Sequence, residues 1–372
     1  MTGIGIPDEE EIGELKAAVR EFLAAKSSEE AVRKVMETEP RYDPAVWAQI
    51  CDQLRLPALA IPERFGGDGY GLRELAGVFE EAGRALLCSP LFATAALAAQ
   101  ALLASADEAA CALHLPDLAD GRRTATLAVA ERDGTWDPAT IRTRAVPSDD
   151  GWRLSGTKSF VIDGASADLI LVVARTVAGP SLFAVDRDAP GLTAEPMVTL
   201  DPTRAMARLD LTEVPAVLVG VQGGGGRLIE KVLDVASVVL AAEQAGGARR
   251  CLEMSTDYAL TRVQFGRQIG SFQAVKHTCA DMLVSVELAE ASAREAARLV
   301  DTADFSVAAA TAHACCSRAY MSVAQENIQV HGGIGFTWEH PAHLYFRRAK
   351  ASELLFGGPA LAYERLLDRL GL

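Results

Sequence analysis

The feature that most constrains the fold is a change of pattern in the middle of the chain. Between residues 124 and 220 the sequence breaks into short alternating runs, such as TATLAVAE and DLILVVART, which are separated by turn residues such as Asp-Asp-Gly and Ala-Gly-Pro. On both sides of this region the apolar residues recur every three or four positions. Alternation is typical of half-buried strands, and the longer period is typical of helices. The pattern therefore predicts a β domain between two helical regions.

We predict a multidomain α+β fold whose three domains follow one another along the chain. Residues 1–123 form an N-terminal helical domain, and residues 124–220 form a small β-sandwich or barrel. Residues 221–372 begin with the glycine-rich segment VQGGGGR and continue as helical patterns. These patterns lie at about 227–262, 268–300, 304–330 and 342–370. Long helices that follow one another in this way indicate an antiparallel four-helix bundle.

Charge and composition exclude several classes of function. The net charge of −14 disfavours nucleic-acid binding, which needs clustered Lys and Arg. The most apolar stretch, residues 91–105, is too short to cross a bilayer, and the acidic N-terminus is unlike a secretory signal. The seven cysteines form no CxxC pair and the six histidines no HExxH motif. We expect a cytoplasmic protein without a membrane segment, a disulfide framework or a metal site.

One segment of the C-terminal region differs from the helical patterns around it. Residues 261–277, TRVQFGRQIGSFQAVKH, crowd arginine and glutamine around Phe265 and Phe272. Gly266 and Gly270 interrupt the periodicity, and a glycine inside a helix costs roughly 1 kcal/mol relative to alanine. An ordinary surface helix has no use for this arrangement. A flat ligand, or one that carries phosphates, would explain it.

This segment closely resembles one in the acyl-CoA dehydrogenases, flavoproteins that desaturate acyl-CoA thioesters. The resemblance extends over most of the chain and includes IPERFGGDGYG (61–71), LSGTKSFVIDGASADLILVVART (154–176) and QVHGGIGFTWEHPAHLYFRRAK (329–350). It implies an FAD-dependent enzyme that introduces an α,β double bond into an acyl-CoA. The electrons would pass to an electron-transfer flavoprotein.

The resemblance also implies which residues contact FAD. In the family, the residues that match Arg262 and Gln273 contact the diphosphate and adenosine of an FAD held mainly by a neighbouring subunit. An arginine fork suits a diphosphate, and phenylalanine rings can pack against an adenine. The alternative is an Arg and Gln pair that is merely solvated on a bundle face. The expected cofactor contacts are Arg262, Gln264, Phe265, Phe272, Gln273, Gln329, Val330, Gly332 and Gly333.

The chain departs from the family at the catalytic base. Alignment of RRAK, residues 347–350, places Phe356 where the family usually carries a glutamate. The reaction needs a base, because the α-proton must be accepted as the β-hydride goes to the flavin. In a family variation the glutamate lies on the first helix of the bundle, where this chain has Ala236. Glu243 follows two turns later on the same apolar face and is the candidate catalytic base.

The sequence also allows an alternative role for Glu243. A buried glutamate can also serve packing through an ion pair with an arginine, such as Arg249 or Arg250. Glu339 and Glu353 are weaker candidates for the base, because both are expected in salt bridges at helix ends.

A second departure concerns the flavin pocket of the β domain. Where the family usually has a small hydroxyl residue this chain has Trp136, and Ile162 replaces the hydroxyl residue expected near flavin N5. The chain is therefore expected to hold its own flavin weakly while it keeps the contacts it offers to a neighbour.

These departures resemble actinobacterial subunits that work as α2β2 heterotetramers on bulky acyl chains, including steroid side chains. The expected assembly is a homo- or hetero-tetramer with another acyl-CoA dehydrogenase-like chain. Two alternatives remain: a non-catalytic subunit that completes the FAD site of another chain, and a flavin monooxygenase on the same fold.

Overall fold

A computed structural model describes residues 9–149 and 151–371. The α-helices are α1 (Glu9–Lys26), α2 (Glu29–Val35), α3 (Pro44–Leu54), α4 (Leu72–Arg84), α5 (Ala99–Ser105), α6 (Glu108–Ala119), α7 (Gly225–Thr261), α8 (Gln273–Arg298), α9 (Phe305–His331), α10 (Ala342–Leu354) and α11 (Gly358–Leu370). The strands are β1 (Ala125–Ala128), β2 (Arg144–Ser148), β3 (Gly151–Ile162), β4 (Leu169–Thr176), β5 (Gly179–Asp186), β6 (Leu192–Pro196), β7 (Met206–Val219), β8 (Val263–Gln264) and β9 (Arg267–Gln268). A π-helical turn, Phe92–Ala98, leads directly into α5. No helix among the described residues is long and apolar enough to cross a membrane.

The middle region is a β barrel, which confirms the predicted β domain between helical regions. Strands β4, β2, β3, β7 and β5 pair in that order, and β5 pairs back onto β4 to close the ring. Strand β1 runs parallel to β4, and β6 pairs with β7. The interior is filled by side chains such as Leu154, Ile170, Phe183 and Leu209. Inward-facing apolar residues of this kind form the core expected of a small barrel.

Strand β7 lies inside the predicted β domain and pairs with three other strands. It contacts β3, β5 and β6 through backbone hydrogen bonds. Pro215 lies inside the strand, and a proline cannot donate to a ladder, so it argues against a central strand when only the sequence is considered.

A buried ion pair lies inside the barrel. The Lys158 Nζ donates hydrogen bonds to the Val129 carbonyl at 2.9 Å and to Glu131 Oε1 at 3.1 Å. The same carboxylate accepts the backbone N–H of Thr143 at 2.8 Å. Burial lowers the pKa of Lys158 to about 8, although Glu131 acts in the opposite direction. The carboxylate of Glu131 thus joins the loop before β2 to the barrel interior.

The chain forms two compact units, and each unit is built from separate stretches of the sequence. One unit contains residues up to 33, residues 72–87 and residues 237–372, and the other contains residues 34–71 and 88–236. The predicted N-terminal helical region therefore contributes to both units. The division after residues 123 and 220 stays a prediction.

The last predicted helix, about 342–370, is two helices in the structure, so the prediction of a four-helix bundle undercounts the helices of this region. The break lies between α10 and α11, at residues 355–357. Phe356 has φ of 58° and Gly357 has φ of 100°, and left-handed backbone at consecutive residues cannot continue a right-handed helix. Helix α9 packs against α8, α10 and α11.

Removal of the Glu131 carboxylate tests the buried pair. We expect Glu131→Ala to lower the free energy of unfolding by about 3–5 kcal/mol, because it leaves a buried ammonium group without its counterion. Urea unfolding followed by circular dichroism measures the change. Glu295→Ala, which removes an exposed ion pair with Arg298, serves as the control and should leave the midpoint unchanged within error. Equal midpoints for the two variants would contradict the assignment.

Candidate functional site

The segment that follows α7 is a β-hairpin and not part of a helix, so the interpretation of its glycines as helix interruptions was wrong. Strands β8 and β9 pair across a turn whose central residues are Phe265 and Gly266, with φ of 53° and 75°. Positive φ at both central residues is typical of the tight turns that connect hairpin strands. The Ile269 N–H donates to the Arg262 carbonyl at 2.8 Å and closes the hairpin. The pattern predicted helix from about residue 268, but α8 begins at Gln273.

The hairpin is the part of this acidic chain best suited to an anion. Arg262, Arg267 and Lys276 are the charged residues between Asp257 and Asp281. The Arg262 side chain is exposed, and within the described part of the chain no acidic side chain pairs with it. An exposed guanidinium that has no internal counterion suits a diphosphate.

Two phenylalanines place aromatic surface beside these cations. Phe265 is 90% exposed at the hairpin tip, and its ring meets Phe272 edge to face at 6.0 Å between centroids. The Arg267 guanidinium lies 4.0 Å from the Phe272 ring centroid. Gln264 and Gln273 are both exposed, and the Gln273 amide lies 3.4 Å from the His277 ring nitrogen. The hairpin therefore presents cations, amides and rings together.

The second predicted group lies at the end of α9. Gln329 is exposed, Val330 is half-buried, and the helix ends at Gly332, where φ is 63°. A Cβ added at Gly332 or Gly333 would meet no atom of this chain within 4 Å. Open space beside an exposed backbone allows close approach by a ligand, so these residues fit the proposed continuation of a nucleotide cradle.

A row of three tilted aromatic rings, called the ring stack below, lies beside both groups. The Tyr258 ring, in the last turn of α7, lies 4.4 Å from the His331 ring at the end of α9. The His331 ring lies 4.2 Å from that of His340, which precedes α10. The Tyr258 carbonyl accepts the Arg262 N–H at 2.8 Å. The hairpin and the end of α9 therefore both lie beside the same ring stack. The sequence did not reveal this proximity.

The candidate base, Glu243, is buried in an ion pair. Its Oε1 accepts a hydrogen bond from Arg348 Nη1 of α10 at 2.5 Å, and both side chains are about 95% shielded from solvent. The partners named as alternatives, Arg249 and Arg250, instead bind other glutamates, so that part of the prediction was wrong. The pair with Arg348 supports the packing role more directly than the base role, because a nearby guanidinium stabilises the ionised carboxylate.

The position of the usual family glutamate is occupied by a buried aromatic ring. Phe356 is fully buried, and its ring centroid lies 6.3 Å from that of His313 on α9. The nearby carboxylate Glu353 forms an ion pair with Lys350 at 2.6 Å, as expected for a residue at a helix end. No proton acceptor of the usual kind is present at this position.

Both substituted residues of the predicted flavin pocket are buried. Trp136 is 3% exposed and Ile162 is 1% exposed. The Ile162 carbonyl accepts a hydrogen bond from Thr126 Oγ1 at 2.5 Å, which holds this end of β3 against β1. Neither side chain offers the hydroxyl group expected beside a flavin.

Solved structures with this architecture define its class as acyl-CoA dehydrogenase-like. A variant of the Tcur3481-Tcur3483 steroid ACAD is 35% identical, with a TM-score of 0.87, and the match covers 97% of this chain and 98% of the other. The ChsE4-ChsE5 complex from Mycobacterium tuberculosis is 30% identical, with a TM-score of 0.89, and the match covers 98% of both chains.

Sequence comparison identifies the family. Family models match for the acyl-CoA dehydrogenase N-terminal domain at residues 9–122, the middle domain at 126–214 and the C-terminal domain at 223–370. Acyl-CoA dehydrogenase IpdE2 of Mycobacterium tuberculosis is 37% identical over 97% of this chain and 96% of its own length. The chain belongs to the acyl-CoA dehydrogenase family, a family of flavoprotein oxidoreductases. The predicted resemblance and fold are confirmed, and the match favours a dehydrogenase over a flavin monooxygenase.

The buried histidine beside Phe356 predicts a loss of stability in acid. Burial, together with Arg365, lowers the pKa of His313 to about 4 from 6.5. The unfolded chain therefore binds a proton that the folded chain excludes, and stability falls as the pH drops from 6.5 towards about 4. Over that window His313 should account for a loss of roughly 3 kcal/mol.

Unfolding midpoints at several pH values measure this dependence. His313→Gln should flatten it, whereas His277→Gln, which changes an exposed histidine, should not. A His313→Gln protein with the original pH dependence would show that the burial of His313 does not control acid stability.

Proposed function

We propose that this chain is a subunit of an FAD-dependent acyl-CoA dehydrogenase and contributes the adenosine side of an FAD site on a neighbouring subunit. The observation that carries the proposal is the exposed hairpin, in which Arg262 has no acidic partner within the described residues. Beside it, Gly332 and Gly333 leave their backbone open to approach. Residues that suit a cofactor but make no such contact within their own chain support a role in a site that is shared with another subunit.

The hairpin and the end of α9 would each contact a different part of FAD. When bound, FAD supplies the hydride acceptor. Arg262 would hold the diphosphate through charge-assisted hydrogen bonds. Gln273 and Gln329 would donate and accept hydrogen bonds with the adenosine. Phe265 and Phe272 would pack on the adenine ring. Gln264, Val330 and the glycines would complete the cradle.

The substrate that we propose is an acyl-CoA with a bulky acyl group, such as a steroid side chain. One solved neighbour is named as a steroid ACAD, and both neighbours described above carry paired names, Tcur3481-Tcur3483 and ChsE4-ChsE5. We extend this pairing to a tetramer of the present chain with another acyl-CoA dehydrogenase-like chain. An electron-transfer flavoprotein would accept the electrons, as the family resemblance implies.

A specific observation favours a second candidate, a non-catalytic subunit. Phe356 replaces the usual base, Glu243 is paired with Arg348, and Trp136 and Ile162 offer no hydroxyl group to a flavin. On this alternative the partner supplies the base and the flavin pocket. The protein purified alone would then be colourless, and the complex would be yellow.

Arg262→Ala tests the cofactor assignment. Loss of a charge-assisted hydrogen bond costs about 1.5–3 kcal/mol, which corresponds to FAD binding weakened by roughly 10- to 150-fold. We expect the complex to lose FAD on dialysis, measured by flavin absorbance per protein. Arg318→Ala, which removes another exposed arginine, on α9, is the matched control and should retain FAD. Full retention by Arg262→Ala would refute the assignment.

Glu243→Gln tests the proposed base while it preserves the shape of the side chain. If Glu243 accepts the α-proton, the complex should keep FAD but substrate should no longer bleach the flavin. Glu253→Gln, which alters another arginine-paired glutamate of α7, should bleach normally. Bleaching of the Glu243→Gln complex at the original rate would leave Glu243 with the packing role and assign the base to another residue or chain.

A further inference from the structure

The ring stack of Tyr258, His331 and His340 connects three parts of the chain. Tyr258 lies one turn before Arg262, His331 directly precedes Gly332, and His340 lies just before α10. The centroid separations of 4.4 Å and 4.2 Å place the His331 ring in contact with each of the other two rings. The loop between the two histidines is therefore held at both ends by the same contact.

His340 makes a hydrogen bond that requires a neutral ring, whereas the hydrogen bond of His331 suits a neutral or a charged ring. The Nδ1–H of His331 can donate to the Asn327 carbonyl, which lies 2.7 Å away. The Nδ1 of His340 accepts the backbone N–H of Ala342 at 3.2 Å, in the first residue of α10. A proton on this nitrogen would turn an acceptor into a donor that faces another donor. Protonation of His340 therefore removes the hydrogen bond that joins it to α10.

The charged groups around the stack do not compensate for added positive charge. Arg33 of α2 and Arg347 of α10 lie 5.8 Å and 5.3 Å from the Trp338 ring centroid, and the Trp338 ring stacks on His343 at 4.5 Å. Glu29 of α2 opposes them, but it is already paired with Arg33 at 2.8 Å, and the exposed Glu339 beside His340 also interacts with Arg33.

The pKa values agree with this geometry. Burial lowers the pKa of His331, His340 and His343, and the neighbouring His331 lowers the pKa of His340 further. Two protonated rings in contact would repel each other across the stack. Burial and this repulsion favour the neutral rings and oppose the charged rings in acid, although the hydrogen bond to the Asn327 carbonyl favours a charged His331 and Glu29 favours a charged His340.

We propose that the stack of Tyr258, His331 and His340 is an acid-sensitive clamp that positions the loop of residues 332–341 and so controls FAD retention. This inference rests on the proposed function, because the loop begins with Gly332 and Gly333 of the nucleotide cradle. His331 and His340 act as positioning residues and are not themselves contacts of the cofactor. Protonation separates the rings, frees the loop and releases the nucleotide end of FAD.

Two measurements on the assembled complex test the clamp. Fluorescence of released FAD is recorded as the pH is lowered from about 7.5 to about 5, the range in which histidine titrates. Hydrogen exchange of residues 332–342, corrected for the intrinsic effect of pH, reports the opening of the loop without reference to flavin. In the unaltered protein we expect FAD release and loop exchange to rise as the pH falls. Once the histidines begin to protonate, FAD release should increase roughly tenfold for each further pH unit.

His340→Asn is the decisive variant. An asparagine side-chain oxygen can still accept the Ala342 N–H, as in an Asx turn, but it does not titrate. Its FAD release and loop exchange should therefore not change with pH over this range, although both should lie above the values of the unaltered protein at pH 7.5 because the ring contact with His331 is lost. His114→Asn alters a histidine of α6 whose pKa is likewise lowered by burial, and it should behave like the unaltered protein.

The outcomes separate this inference from the proposed function. Acid-dependent release that persists unchanged in His340→Asn would overturn the clamp, as would loop exchange that does not respond to pH. Opening of the loop without release of FAD would also overturn it. If the complex binds no FAD at all, the proposed function fails, and the exchange measurement alone supports or rejects the acid-sensitive stack.

Discussion

The contact between the Tyr258 and His331 rings is the interaction on which the candidate site depends. The hairpin after α7 and the glycines after α9 are far apart in sequence, and each is too exposed to be fixed by burial of its own. The ring contact joins the last turn of α7 to the last turn of α9, beside the buried hydrogen bond from Ser255 to Asn327. Long helices are stiff, so a contact that fixes their ends also fixes the hairpin and the glycine loop attached to them. The cradle proposed for FAD is thus built from helix ends that lie within one compact unit.

Buried charge shapes the rest of the candidate chemistry. Lys158 with Glu131, and Arg348 with Glu243, are ion pairs in which removal of one partner is far more costly than replacement of both by apolar residues. A carboxylate held in this way is fixed in place by its cationic partner. The same reasoning favours a packing role for Glu243, whereas its role as the catalytic base stays a prediction.

The fold could be predicted from the sequence where periodicity was strong, as in the strands around Val172 and the helices α8 and α9. The errors fall where local and tertiary effects compete. Pro215 argues against a strand where β7 forms. Phe265 and Gly266 adopt positive φ values, so the segment predicted as helix forms a hairpin. The partner of Glu243 could not be found because Arg348 lies far along the chain. Resemblance predicted the cofactor residues, but the sequence did not show that they lie beside one group of rings.

The central claim is that this chain lends half of an FAD site to a different subunit. Native mass spectrometry of this protein co-expressed with an acyl-CoA dehydrogenase-like partner, and of this protein alone, tests it most directly. The account predicts a hetero-oligomer with roughly half an FAD per chain. Each occupied site would combine the partner's flavin pocket with the Arg262 segment of this chain, so two chains would share one FAD. One FAD per chain in an active homotetramer of this protein alone would contradict it, since Trp136 and Ile162 would then be compatible with a flavin.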